Sequence, residues 1–175
     1  MDTFYAHAKI NRFLRIVRQE ADGYHYLQTA FQFLNIYDRI SFEAKSSGGV
    51  ELHYHYHNFI PEEDLIYRAI KQLENATNRT FHLNVYLDKR LPIGGGIGGG
   101  SSNAATTLVA LNQFYQLNLS KEELLRMGLQ LGADVPIFIH GAAAWAEGRG
   151  EQFRPVTLKE EDFWLIVPNI SISTA

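Results

Sequence analysis

Apolar and polar positions alternate along FHLNVYL (81–87), which predicts a strand with one buried face. Residues 4–18 show a looser alternation and read as a strand or strand pair, with Phe13, Ile16 and Val17 set among arginines. A turn at ADGYH (21–25) separates this stretch from a second extended region, YLQTAFQFL, which runs through Asp38 into RISFEA. Ser46 to Gly49 then read as a hairpin-like turn before VELHYHYH. After Pro61 the period changes: Leu65, Ile66, Ala69, Ile70 and Leu73 fall on one face of a helix with acids at its start. A second helix carries Ala104, Leu108, Leu111 and Tyr115 on one face. A third is opened by a Ser120–Glu123 capping box, runs through Leu131 and is ended by Gly132. AAAWAEGRGEQF and DFWLIVPNISI are strand candidates. Strands come first and helices are interleaved later, which favours an α+β fold over a doubly wound α/β one.

Composition sharpens this picture at three points. A chain of 175 residues, 46% hydrophobic and 13% aromatic, can bury a core of one sizeable domain, with room for part of another. WLIVPNISISTA reads as a strand entering a further segment, so the expected division is a domain over 1–160 and the start of a truncated C-terminal domain over 161–175. The net charge of −3 argues against a nucleic-acid surface, yet leaves room for a phosphorylated small molecule, which needs only local positive charge. No cysteine is present, which excludes disulfides and thiolate chemistry. No run reaches transmembrane length and MDTFYAHAKINRF is no signal peptide, so the expected location is cytoplasmic.

The run PIGGGIGGGSS (92–102) lies between the 81–87 strand and the second helix. Glycines at 94–96 and 98–100 permit positive φ, and Ser101 and Ser102 are positioned to cap the helix that follows. Strand, glycine loop and helix N-terminus predict an anion cradle, for which a nucleotide polyphosphate is the fitting ligand. The alternative is a flexible linker, which is seldom flanked so closely by a strand and an apolar helix. The run lacks the GK[ST] ending of a Walker A loop, so any lysine that assists comes from elsewhere in the chain. Lys89 and Arg90, just upstream, either attract phosphates or solvate a strand end. Asp134 in LGADVPIFI either starts a helix or serves the cradle. Lys9 carries no signal of its own, and Tyr24 and His25 read as loop residues. His53, His55 and His57 share one strand face, a spacing that suits a metal but reads better as a solvent-facing edge.

Together AKINRFL, EADGYH, FQFLNIYDRI, LDKRLP, LPIGGGIGGGSSNAATTLVALN, LGADVPIF and AAAWAEGRGE resemble, in order and over nearly the whole chain, the GHMP kinases. The resemblance implies a two-layer α+β N-terminal domain with a mixed or antiparallel sheet and helices on one face. Its glycine-filled loop is most similar to the branch that phosphorylates the 2-hydroxyl of a diphosphocytidyl methylerythritol, with ATP and Mg²⁺. The resemblance implies Lys9 and Asp134 as the catalytic pair, and Asn11 and Thr174 as contacts to the methylerythritol. It makes Tyr24 and His25 the readers of cytosine and Lys89 a neighbour of adenine. Pro92, Ile93, Gly94, Gly95, Gly96, Ile97, Gly98, Gly99, Gly100, Ser101 and Ser102 become the triphosphate loop. Its partner is a small cytidylated substrate, with no nucleic acid and no membrane, and a homodimer is allowed. Other members acting on a different alcohol would lack the ADGYH element, and a non-catalytic nucleotide-binding fragment would need no Lys9–Asp134 pair. Two positions depart from the pattern. His7 stands in place of a proline, and Asp64 in place of an asparagine whose two amide hydrogen bonds a carboxylate cannot reproduce.

Overall fold

A single long strand, β2 (His25–Ala44), organises the sheet. The computed structural model describes residues 2–21, 23, 25–54 and 60–167. Along one edge of β2 runs β1 (Asp2–Gln19), antiparallel, with register shifts at His7/Lys9, Asn11/Phe13 and Ile16/Arg18. The other edge is shared. Residues 27–31 pair with β5 (Ala144–Gly148), and residues 39–44 pair with β4 (Leu83–Asp88). Beyond these lie β3 (Val50–Tyr54), parallel to β4, and β6 (Gln152–Pro155), antiparallel to β5. The result is a six-stranded mixed sheet in the order β3-β4-β2-β5-β6, with β1 on β2. The α+β expectation holds.

Among the described residues, four α-helices form the second layer: α1 (Leu65–Thr77), α2 (Gly99–Phe114), α3 (Lys121–Leu131) and α4 (Val135–His140). The period-3.6 stripe of α1 buries Ile66, Ala69, Ile70 and Leu73 against Ile40, Phe42, Leu83 and Val85 of the sheet. Small residues let α2 come close to its neighbours, and Ala104, Ala105, Leu108 and Leu111 are all buried in the same core. The opposite face of β2, β3 and β4 carries polar groups, with Glu43 accepting from Asn84 and from the hydroxyl of Tyr86. The Ser120 box forms as expected, with Ser120 Oγ accepting from Glu123 N and Ser120 N donating to Glu123 Oε2.

Three sequence expectations are corrected. Residues 46–49 do not close a hairpin, because β3 pairs in parallel with β4 and α1 crosses between them. Ser101 and Ser102 do not cap α2; the helix already starts at Gly99, and Gly98 at φ +75° is the residue before it. The described part of DFWLIVPNISI is no strand, since residues 156–167 have no regular structure and Trp164 is 99% exposed. Arg12 holds this segment on β1 by pairing with Glu161 at 2.8 Å and stacking on Phe163. No helix among the described residues is long and apolar enough to cross a membrane.

Candidate active site

A cleft of about 930 Å³ opens where β1, the glycine run and the starts of α1, α2 and α4 meet. Its floor is built around Lys9. The neighbouring Ala8 packs inward with Leu91 and Ile97, and the main-chain N–H of Lys9 donates to Ile97 O at 3.0 Å. That bond ties β1 to the middle of the glycine run. Ile97, the lone side chain among the glycines, is 4% exposed and supplies the apolar anchor. Lys9 is 4% exposed, and a buried ammonium needs both an opposite charge and hydrogen-bond acceptors. It has them: Nζ lies 2.9 Å from Asp134 Oδ2 and donates to Asn11 Oδ1 at 2.8 Å. The ring of Phe31 lies below it, with its centroid 5.4 Å from Nζ. Asn11 in turn donates to Thr29 Oγ1 (2.7 Å), and Thr29 donates to Phe13 O (2.7 Å), so the lysine's acceptor is itself held in place.

Asp134 stands before α4 without capping it. Its backbone is helical (φ −86°, ψ −11°) rather than extended, and no helix N–H bonds its side chain. Little capping is required of it. Val135 N already donates to Gly132 O, and Pro136 has no N–H to offer. The carboxylate is therefore free to turn to Lys9.

The glycine run does what its composition predicts. Gly94, Gly96 and Gly98 all have positive φ, between 70° and 75°. At Gly98 a Cβ would also sit 2.7 Å from Phe138 Cζ and 3.2 Å from Lys9 Cε, so glycine is required twice over. The run leads directly into α2, whose preceding residue brings no side-chain cap to the first N–H groups. Those groups and the helix dipole face the cleft that Gly94 to Ser101 line.

Of the residues singled out in the sequence, Lys9, Asn11, Lys89, Pro92, Ile93, Ser101 and Asp134 line this one cleft. Ser102 does not. It is buried on another side of α2 and borders a separate groove with Tyr5 and Phe138. Lys89 forms a 2.6 Å ion pair with Asp38. Arg90 likewise pairs with Asp88. His25 is exposed at the start of β2 and borders a neighbouring pocket with Arg18, Tyr26 and Gln152; Arg149 lines both this pocket and the cleft. Tyr24, His55, His57 and Thr174 lie outside the described residues. His53 stacks on Tyr86 at 4.7 Å, and no group of three metal-ligating side chains occurs among the described residues. Asp64 has a structural task, its Oδ1 accepting from Ile66 N, Tyr67 N and the hydroxyl of Tyr54. Burial raises its pKa, and these hydrogen bonds pull the other way.

Sequence reasoning missed Asp38, Thr29, Asn103 and Phe138. Asp38 had a signal, a lone acid inside the apolar strand pattern NIYDRI. The other three are ordinary core or strand residues in sequence, and only the fold brings them to the cleft or its wall.

Residues 64–142 match the family model of the GHMP kinases N terminal domain. The chain is 52% identical over 168 residues to a 4-diphosphocytidyl-2-C-methyl-D-erythritol kinase of Actinobacillus pleuropneumoniae serotype 5b, covering 96% of this chain and 59% of that protein. It is 48% identical over 170 residues to the protein of that name from Pseudomonas aeruginosa strain LESB58, covering 97% of this chain and 60% of the relative. The chain thus spans about three fifths of the length of these relatives. A crystal structure of 4-(cytidine 5'-diphospho)-2C-methyl-D-erythritol kinase superposes with a TM-score of 0.77 at 37% identity, over 90% of this chain and 56% of that one. The mevalonate kinase of Methanococcus jannaschii has the same fold, with a TM-score of 0.61 at 17% identity over 89% of this chain and 56% of that one. With the glycine cradle, the two-layer fold and these likenesses in hand, residues 64–142 are those of a GHMP kinase N-terminal domain.

Proposed function

We propose that the protein transfers the γ-phosphoryl group of ATP to the 2-hydroxyl of 4-diphosphocytidyl-2-C-methyl-D-erythritol, a step in isoprenoid precursor synthesis. The observation that carries this reading is the Lys9–Asp134 pair, 2.9 Å apart beside a glycine cradle. Phosphoryl transfer asks for positioning and charge neutralisation more than for covalent chemistry. The N–H groups of the glycine run and of the first turn of α2 bind the phosphates. Asp134 accepts a hydrogen bond from the substrate hydroxyl and orients it toward the γ-phosphorus. Asp134 takes the proton late, once the attacking oxygen has turned acidic. Lys9 holds Asp134 in place and stabilises the charge that develops on the transferred group. Asn11, fixed by Thr29, holds Lys9 in the cleft.

The donor set suits a Mg²⁺ ion borne on phosphates rather than a dedicated protein cage, since the described residues hold no group of three ligating side chains. Asp134 and Ser101 are the cleft oxygens that would hold such an ion, whose part is to neutralise phosphate charge. His25, together with Tyr24, is assigned to the cytosine end of the substrate, on the strength of the relatives' names and of its pocket beside the cleft.

The test is a coupled ADP-release assay with three alcohols: the cytidylated methylerythritol, mevalonate and homoserine. Turnover restricted to the cytidylated alcohol is expected. Equal turnover of mevalonate or homoserine would remove the specific substrate and leave a GHMP kinase of another kind.

A further inference from the structure

We infer that Asp38 is a positioning residue for nucleotide binding, acting through Lys89 and the root of the glycine loop. This rests on the nucleotide reading of the cleft. The last rung of the β2–β4 ladder sets Arg39 opposite Asp88. One residue further along β2 the ladder stops and the Asp38 side chain replaces it. Its Oδ1 accepts from Arg90 N at 2.7 Å and Leu91 N at 2.8 Å, while Oδ2 accepts from Lys89 Nζ at 2.6 Å. Asp38 is 0% exposed, and a carboxylate so placed persists only because donors meet both its oxygens.

These bonds fix the entry to the glycine run. Leu91 is held at its N–H by Asp38 and by its side chain in the cluster with Ala8 and Ile97. Six residues on, the bond from Lys9 N to Ile97 O fixes the middle of the run. Between the two anchors Ile93, Gly94 and Gly96 are exposed, so this part of the loop is tied to the sheet at both ends.

The second arm concerns charge. Lys89 Nζ lies 3.0 Å from where a Cβ would stand on Gly99, the first residue of α2. A cation beside a helix N-terminus opposes the helix dipole and would swing away if unpaired. Asp38 holds it there. The cationic group at the start of α2 is thus available to a nucleotide only while the Asp38 carboxylate is in place.

A double-mutant cycle on ATP affinity, measured by calorimetry, tests this. Asp38→Asn keeps an acceptor for Arg90 and Leu91 but gives Lys89 no anion. Loss of a charge-assisted contact predicts roughly tenfold weaker ATP binding for Asp38→Asn and about the same for Lys89→Met. The double variant should be no weaker than Lys89→Met within about twofold, because Asp38 acts through Lys89. Asp38→Asn that unfolds more easily but binds ATP as the unaltered protein does would overturn the proposal, as would losses that simply multiply. Should Asp38→Asn fail to fold, Lys89→Met with unchanged affinity overturns it, and a tenfold loss that Lys89→Arg restores supports it. An unaltered protein that binds no ATP would instead bring down the nucleotide reading, and this inference with it.

Discussion

Asp64 and Asp134 both stand immediately before a helix and both line the same cleft, yet they do opposite things. Asp64 has an extended backbone (φ −72°, ψ 130°), and its carboxylate turns inward to close α1, accepting from two N–H groups of the first turn. Asp134 has a helical backbone and leaves α4 uncapped, with its carboxylate on Lys9. The difference lies in what each helix demands. The first turn of α1 presents donors that only Asp64 meets, whereas at α4 one donor is already bonded to Gly132 and proline removes the next. A carboxylate released from its own helix becomes available for chemistry. The same contrast separates α3, closed by the Ser120 box, from α2, whose glycine start leaves its N–H groups to the cleft.

The comparison is broken most severely by removing the charge at Asp134. Asp134→Asn should lower kcat by roughly 10²- to 10⁴-fold with little change in ATP affinity, because it takes away an interaction realised in the transition state. Asp64→Asn, in the same steady-state assay, should leave kcat within about threefold, since asparagine caps as well as aspartate. Comparable losses in both would erase the distinction drawn between them.

Next in size is the glycine run. Gly98→Ala combines left-handed strain with overlap on Phe138 and should cost about 2–4 kcal/mol in denaturant unfolding. Gly96→Ala, with no atom within 4 Å of the new Cβ and φ at +70°, should cost only about 1 kcal/mol. Equal costs would mean that Phe138 and Lys9 yield freely. A smaller effect is expected at the closed helix α3. Ser120→Ala should lose about 1 kcal/mol of stability and leave ATP affinity unaltered.

The smallest effect is a pH dependence. Burial raises the pKa of Asp64 above its ordinary 3.8, so the folded state holds this proton more tightly than the unfolded one. The ionised carboxylate therefore costs stability as pH rises through the interval from 3.8 to the raised value, and that cost is absent below it. Asp64→Asn should consequently be slightly more stable than the unaltered protein at pH 7, with the gap closing in acid. A gap that widens in acid would show that the hydrogen bonds, and not burial, dominate at Asp64.

Local signals were legible in the sequence, and non-local ones were not. The Ser120 box, the apolar stripe of α1 and the alternation before Asp88 each depend on neighbours within one turn or one strand. The pairing of β3 depends on β4, some thirty residues away, so Ser46–Gly49 looked like a hairpin turn. Ser101 and Ser102 looked like caps because serine is a common one, but six glycines allowed the helix to begin earlier than a side-chain cap would set it. The site followed the same rule. The cradle was legible because its six glycines fall within seven consecutive positions, whereas Lys9 and Asp134 are 125 positions apart and were linked through the family resemblance alone. The partner of Lys89 was not legible either, because Asp38 lies 51 residues earlier, on β2.

Open helix starts meet phosphate while closed ones do not, and backbone amide shifts report this group by group. Titrating ATP into ¹⁵N-labelled protein should move the Gly98, Gly99, Gly100 and Ser101 amides strongly downfield, as expected for N–H groups that donate to phosphate oxygens. Ile66 and Tyr67, whose N–H groups are already held by Asp64, should barely move, and the same is expected of Glu123 under its Ser120 cap. Large shifts at Ile66 and Tyr67 with the Gly98–Ser101 amides unmoved would contradict the account.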